Sequence, residues 1–300
     1  MARVVVLGSI NIDLAARVGR FPVAGETLSG SDFTMRAGGK GSNQALAAAR
    51  AGASVVMSGA VGRDGFAGAA LANLAEAGVD LTAVRDVEGA TGAALILLDA
   101  KGENVIVVVP GANATVDASQ ASALPLAAGD VLLLQGEIPT EALAAACAAG
   151  RRAGAKVVLN PAPFAPALAD LLPLIDVLVV NETEAQALAA ARGLAATSAR
   201  EIVAALAAPT LEVIVTQGAR GLTAGFAGRI VEAPSRPVEA VDTVGAGDTF
   251  CGYLAAGLAQ GGVLDDVILR RAGVAAALAC TRPGAQDAIP SLAEVVRAGG

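Results

Sequence analysis

The sequence predicts an α/β fold: a mostly parallel sheet covered by helices on both faces, three layers in all, with a small β-sheet lid. The first sign is rhythm. Short runs of branched aliphatic residues alternate with alanine-rich helical stretches along the 300 residues, the pattern of successive βαβ units. The second is composition. The chain is 54% apolar and only 2% aromatic, so its core has to be built from Ala, Val, Leu and Ile. The third is a break in the rhythm. Two β-rich interruptions, at 13–38 and 90–110, do not fit the βαβ pattern. They are expected to pair with each other outside the main sheet, as a lid on a single domain spanning 1–300.

Taken in order, "RVVVLGS" at 3–9 is a buried first strand by its length and β-branching. A polar, glycine-punctuated stretch at 10–39 follows, with alternation such as "ETLSGSDFTM" instead of helical periodicity. A helix is predicted over 42–51, then a strand in "ASVVMSGAV" and a helix in "GFAGAALANLAEAG". "TGAALILLDAKGENVIVVVPGAN" at 91–113 gives two strands joined by a "DAKGEN" turn, a hairpin signal. The βαβ rhythm then returns: "DVLLLQGE", a helix over 139–152, "AKVVLNPAP", "IDVLVVNETE", two helical segments and "LEVIVTQGARG". A short strand pair at 222–231 precedes two helices, after Gly245 and after Val263.

Several function classes are excluded by what is scarce. There is no histidine, which removes Ser–His–Asp hydrolysis, imidazole-built zinc centres and phosphohistidine intermediates. A general base has to be a carboxylate, lysine, cysteine or tyrosine, and the lysines are only Lys40, Lys101 and Lys156. A net charge of −7 and the few aromatics argue against nucleic-acid binding, which asks for a basic surface or stacking platforms. Cys147, Cys251 and Cys280 are odd in number and widely spaced, so they are read as small buried hydrophobes and not as a disulfide framework. The longest uncharged stretch, 249–264, is interrupted by Gly and Gln and falls short of the roughly 20 apolar residues of a membrane span. No signal-peptide pattern opens the chain, so a cytoplasmic protein is expected.

The stretch "VDTVGAGDTFCGYL" at 241–254 carries the chemistry. Gly245, Ala246 and Gly247 leave backbone N–H groups uncovered at a helix start, where unsatisfied donors and the helix dipole attract anions. Asp248 stands beside them as a carboxylate suited to taking a proton from an attacking hydroxyl, though an acid in a first helical turn can also be a plain cap. Donors for a moving phosphoryl group and a base for its acceptor are the two parts phosphoryl transfer needs. Asp242, at the strand-to-turn junction, is placed to hold a cation. No Walker A loop and no G-x-G-x-x-G fingerprint occur, which disfavours P-loop and nicotinamide chemistry.

"DTVGAGDTF" resembles the C-terminal signature of the ribokinase family, the PfkB-type carbohydrate kinases, and "GGKGSNQALAAARAGA" at 38–53 resembles its N-terminal signature. "GSINID", "FPVAGET", "GENVIVVVPGAN", "NPAP", "VVNETEA" and "TQGARG" are similar to ribokinase segments in the same order. The likeness runs from position 4 to 290, and eight collinear motifs make it specific. It implies a ribokinase-like three-layer fold and ATP-dependent phosphorylation of ribose at the 5-hydroxyl.

The resemblance also implies roles for particular residues. Asp248 would be the catalytic base, with the amides of Gly245, Ala246 and Gly247 as the anion hole. Asn11, Asp13, Gly39, Lys40, Asn43, Glu137 and Asp248 would bind the sugar. Asn181 and Glu184 would lie near the phosphates and a hydrated Mg²⁺, and Thr216, Gln217, Gly218, Ala219, Arg220 and Gly221 would form the loop over the nucleotide. Gly247 would also face ATP, and Gly273 would lie near the adenine. A potassium-like monovalent ion would be held by Asp242, the carbonyl of Val244, and carbonyls around Ala279, Arg282 and Gly284.

Three positions depart from the family pattern. Ala288 replaces a serine that would give the monovalent ion a side-chain oxygen. Gly273 stands where Asn or His is frequent, and Tyr253 where a small residue is usual. The alternatives in view are a same-fold kinase acting on deoxyribose, a nucleoside, a keto sugar or a sugar acid, and a binding-only protein that kept the fold. A sugar and ATP are the expected partners, with a homodimer formed through the lid and no nucleic acid or membrane.

Overall fold

A computed structural model describes residues 2–300. The chain opens with strand β1 (Val4–Leu7), then β2 (Asn11–Arg17) and β3 (Asp32–Gly38). Helix α1 (Lys40–Arg50), β4 (Val55–Gly62), α2 (Ala67–Glu76) and β5 (Asp80–Val87) follow. The hairpin β6 (Gly92–Leu98) and β7 (Asn104–Val109) comes next. After it stand α3 (Ala118–Ser122), β8 (Val131–Gln135), α4 (Thr140–Ala153), β9 (Lys156–Asn160) and β10 (Val177–Asn181). Then come α5 (Glu182–Ala191), α6 (Ala199–Leu206), β11 (Glu212–Thr216), β12 (Leu222–Phe226) and β13 (Arg229–Ala233). Helices α7 (Ala246–Gly261), α8 (Asp266–Ala279) and α9 (Leu292–Arg297) close the chain.

The main sheet has nine strands in the order β13-β12-β11-β10-β9-β8-β1-β4-β5. It is parallel from β5 to β11, and only the β11–β12 and β12–β13 pairings are antiparallel. Side chains alternate across a strand, so each buried strand feeds two cores. Val4 and Val6 of β1 join the core beneath α1, α7 and α8, with Leu46, Leu254 and Leu269. Val5 and Leu7 join the opposite core, with Leu143 of α4, Leu188 of α5 and Ile202 of α6. Helices on both faces of a mostly parallel sheet are the architecture the rhythm predicts.

The two β-rich interruptions form a separate four-stranded sheet in the order β3-β2-β6-β7. They pair with each other: β2 runs antiparallel to β3 and parallel to β6, and β6 runs antiparallel to β7. The lid begins at Asn11, two residues before the expected boundary, because the chain leaves β1 and enters the second sheet almost at once.

Three elements escape the sequence reading. Strand β5, "DLTAVRDV", lies at the sheet edge and is half-exposed, so its charged residues mask the apolar run that marks an inner strand. Helix α9 is announced by a Ser291–Glu294 capping box, and α3 by an Asp117 cap; both are too short for periodicity to register.

The site is positioned by the contact of α1 with α7. Gly252 makes this contact possible: a Cβ there would lie 2.5 Å from the Gln44 carbonyl oxygen and 2.8 Å from the Ala48 nitrogen. Tyr253, beside it, is buried, and its hydroxyl donates to the Pro290 carbonyl at 2.8 Å. The bulky residue at that position therefore ties α7 to the loop before α9. Gly252→Ala should wedge α1 and α7 apart and cost about 1–3 kcal/mol, as overpacking does. Urea unfolding checks this, and a midpoint equal to that of the wild type would refute the contact's importance.

Candidate active site

Helix α7 starts from a glycine in the left-handed region. Gly245 has φ 75° and caps the helix without any side-chain hydrogen bond, a conformation that costs other residues steric energy. Of the three amides assigned to the anion hole, those of Gly245 and Gly247 donate to no protein acceptor among the described residues. Ala246 makes only a long bond, 3.3 Å, to the Thr243 carbonyl. The Asp248 amide, which the sequence reading leaves out, is also unengaged. Unpaired donors and the positive end of a sixteen-residue helix make this terminus attractive to an anion.

Asp248 is 7% exposed and lines a cavity of about 220 Å³ together with Gly245, Gly247, Lys40, Glu184 and Thr216. Its carboxylate is held from α1: Asn43 Nδ2 donates to Oδ2 at 3.0 Å, and Gln44 Nε2 donates to Oδ1 at 2.9 Å. The Oδ1 of Asn43 is buried with no partner, an acceptor waiting for a donor such as a hydroxyl. Asp248, Glu137 and Glu184 act against burial to push the Lys40 ammonium above its ordinary value, Asp248 most strongly.

Of the other sugar-site candidates, Lys40 lines the same cavity, and Asn43, Glu137 and Asp13 connect to Lys40 or Asp248 through hydrogen bonds or charge. Glu137 Oε2 accepts from Ser9 Oγ at 2.5 Å and from the Lys40 amide at 3.0 Å, which ties it to the β1–β2 junction and the start of α1. Asn11 Oδ1 accepts from Asn113 Nδ2 at 2.7 Å, and Asn113 Oδ1 accepts from the Ile10 amide at 2.9 Å. This fixes the Asn11 amide with its own NH₂ free to donate. Asp13 is pushed up to about 6, chiefly by burial and then by the charges of Glu137 and Asp248. Gly39 turns the chain from β3 into α1 with φ 90°.

On the far wall, Asn181 and Glu184 form a capping box at the start of α5, and Thr216 lies in register with Asn181 on the neighbouring strand. Burial pushes the Glu184 carboxyl up, against the pull of Asn181 and Lys40. Gly218, Ala219 and Arg220 form a short turn after Thr216, ending at Gly221. The side chains of Gln217 and Arg220 do not reach the cavity that holds Asp248. Both bond to Glu182 and line a larger hollow of about 500 Å³ beside α6. The smaller cavity has the chemistry; the larger one is bounded by satisfied ion pairs such as Arg200–Glu232. Gly273 on α8 has open space where a Cβ would stand.

Asp242 bridges two loops. Its Oδ1 accepts from the Val244 amide at 3.0 Å and its Oδ2 from the Gly284 amide at 2.8 Å. Ala288 is fully buried and offers no side-chain oxygen, and the Ala279 carbonyl already accepts from the Arg282 amide at 3.3 Å. Among the described residues, no group of three or more acids, cysteines or histidines could hold a metal. The thiols are free. Burial pushes Cys147 up to about 12 and Cys251, which lines the cavity, well above its usual value.

Four buried amides at the site are absent from the sequence reading: Gln44, Asn113, Gln135 and Asn160. Three lie inside motifs quoted for the resemblance, "GGKGSNQ", "PGAN" and "NPAP", and the fourth ends the β8 run "VLLLQ". Only their contacts set them apart.

The chain resembles known proteins along nearly its whole length. The description "pfkB family carbohydrate kinase" matches residues 1–292. The chain is 37% identical over 295 residues to the ribokinase of Haemophilus influenzae, covering 97% of this chain and 96% of that one. It is 34% identical over 297 residues to the deoxyribokinase of Salmonella typhi, covering 96% of each. The ribokinase of Arabidopsis thaliana, solved in complex with ribose and ATP, superposes with a TM-score of 0.88 at 31% identity, covering 99% of this chain and 98% of that one.

The raised pKa of Asp13 gives a stability test. The folded chain binds its proton more readily than the unfolded chain, so ionised Asp13 lowers stability as pH rises from the ordinary value of 3.8 to about 6. Asp13→Asn should therefore melt higher than the wild type at pH 7, by an amount worth about 1–3 kcal/mol. The gap should shrink as pH falls through 6 and close near 4, as followed by calorimetry across pH. A variant less stable at pH 7 would contradict the assignment.

Proposed function

The chain belongs to the pfkB family of carbohydrate kinases, and from that premise we propose that it transfers the γ-phosphoryl group of ATP to the 5-hydroxyl of D-ribose. The observation that carries this reading is the meeting, in one cavity, of unengaged amides at the start of α7 and the Asp248 carboxylate held by Asn43 and Gln44. Asp248 takes the proton of the sugar's primary hydroxyl. That oxygen bonds to the γ-phosphorus, the bond to the bridging oxygen breaks, and ADP leaves. The amides of Gly245, Ala246, Gly247 and Asp248 receive the charge spread over the equatorial oxygens. The 3.3 Å bond from Ala246 is long enough to yield to a charged acceptor.

Sugar recognition falls to the polar groups at the lid's base. Asn43 offers an unpaired acceptor, Asn11 a free NH₂, and Asp13 and Glu137 carboxylates with oxygens to spare. A site built from dedicated polar groups rejects a sugar lacking a hydroxyl, because the partner is left buried and unpaired. Asn181 and Glu184 fit a magnesium ion that keeps its waters; when bound, that ion neutralises charge on the phosphates. For the expected monovalent ion, each Asp242 oxygen keeps a lone pair beyond the one amide it accepts, so Asp242 would hold it with the carbonyls of Val244, Ala279, Arg282 and Gly284, while Ala288 adds no side-chain oxygen. No step is assigned to such an ion.

A second reading, phosphorylation of deoxyribose, is favoured by the 34% identity to a deoxyribokinase. Nucleosides are disfavoured because the lone tyrosine is buried and bonded to Pro290. ADP release measured over a panel of sugars decides among these, with ribose expected to give the highest kcat/KM. Asp248→Asn should bind ribose within about threefold of the wild type and lose about 10²–10⁴ in kcat. Near-normal turnover by that variant would remove Asp248 from its role.

The lid supports a homodimer. Strand β7 ends its sheet with Val105, Ile106, Val107, Val108 and Val109 all exposed; Leu95 is exposed next to it on β6, and Phe33 and Met35 are exposed on β3 at the opposite edge. Such an edge invites pairing, and a second copy covers it while the lid folds over the sugar. Sedimentation should find a dimer that Val107→Asp converts to a monomer; a wild-type monomer at micromolar concentration would exclude this interface. Among the described residues, no helix is long and apolar enough to cross a membrane.

A further inference from the structure

Behind Asp248 stands a set of buried amides with a single consistent orientation. Gln44 is fully buried. Its Nε2 donates both to Asp248 Oδ1 at 2.9 Å and to Asn160 Oδ1 at 3.1 Å. Its Oε1 accepts from Gln135 Nε2 at 2.7 Å. Asn160 is held in turn by donating its Nδ2 to the Val179 carbonyl at 2.9 Å. Gln135 and Asn160 end β8 and β9 in direct register, so the sheet itself fixes the distance between the two anchors.

The consequence is directional. Turning the Gln44 amide over would point its oxygen at the Asp248 carboxylate and at Asn160 Oδ1, and would set its NH₂ against the Gln135 donor. The contacts with Asp248 and Asn160 resist that flip, and Gln135, whose Oε1 is buried with no partner, adds its Nε2 donor to the same arrangement. A side chain used only for packing needs none of these polar groups, and a buried amide without partners is costly. The arrangement holds an N–H donor on one carboxylate oxygen while Asn43, from the same helix, holds one on the other.

We propose that Gln44, locked by Gln135 and Asn160, is a positioning residue for the base. It sets the angle of the Asp248 carboxylate toward the incoming hydroxyl, without touching the sugar. The proposal rests on the reading of Asp248 as the base. A donor to the charged form of a carboxylate lowers the pH at which it becomes active. Removing Gln44's donor should therefore move the acid limb of the kcat profile upward. The titratable groups around the carboxylate are Lys40 on α1, Glu184 on α5, Asp13 on β2 and Cys251 on α7, and all remain in place.

Gln44→Met keeps the volume and removes the donors. It is expected to lower kcat about 10- to 100-fold, leave the sugar KM within about threefold, and raise the acid limb of kcat by about one pH unit. A folded Gln44→Met with wild-type kcat and an unmoved limb overturns the proposal, as does a rise in KM with the limb unmoved. If that variant fails to fold, Gln135→Met decides: it leaves the Asn160 anchor, so a smaller loss in kcat with the limb displaced the same way is expected, and an unmoved limb is the overturning result. Asp248→Asn run alongside separates the two ideas. If that control turns over normally, the base assignment fails; if it is inactive while the amide variants behave as wild type, only the positioning role fails.

Discussion

Helix α1 reaches α7 closely enough for two of its neutral amides to hold a carboxylate at the other helix's positive end. Nearly everything else at the site depends on that approach. Gly252 removes the side chain that would keep the helices apart, and the shared core of Leu46, Phe250 and Leu254 holds them together. The carboxylate then sits next to backbone donors that have no protein partner. Placing an acid beside free amides is stable only because its charge is met from both sides. In a buried setting, losing one donor would leave an oxygen without compensation.

The cluster around this carboxylate is strongly acidic. Asp248, Glu137 and Glu184 raise the Lys40 ammonium above its ordinary value, Asp248 most, and Asp13 lies close enough to feel Glu137 and Asp248. Burial first, and the negative charge of Glu137 and Asp248 second, make an ionised Asp13 work against the fold. Within a kinase this acidity has a use. On the reading proposed above, carboxylate oxygens would accept from sugar hydroxyls while the amides at the start of α7 would take the phosphate charge.

The layered fold was legible in the sequence because buried parallel strands and alanine-rich helices have distinct periods, and the lid because its strands interrupt that rhythm. The edge strand β5 was not, since exposure mixes charges into its pattern. At the site, Asp248 and the glycine turn could be read locally, because cap, turn and acid are adjacent in the chain. Gln135 and Asn160 could not. Their meaning lies in meeting Gln44 across separations of 91 and 116 residues, which no local pattern records. Gln217 and Arg220 are a mixed case: their motif is legible, but the pairing of both side chains with Glu182 is not.

The most direct measurement is a crystal structure with ADP, ribose and a planar metal-fluoride mimic of the transferring phosphoryl group. The mimic is expected within hydrogen-bonding reach of the Gly245, Gly247 and Asp248 amides, and the ribose 5-oxygen about 3 Å from the Asp248 carboxylate. A mimic bound away from the start of α7, or a sugar whose 5-oxygen faces Glu137 or Lys40 instead, would contradict this arrangement.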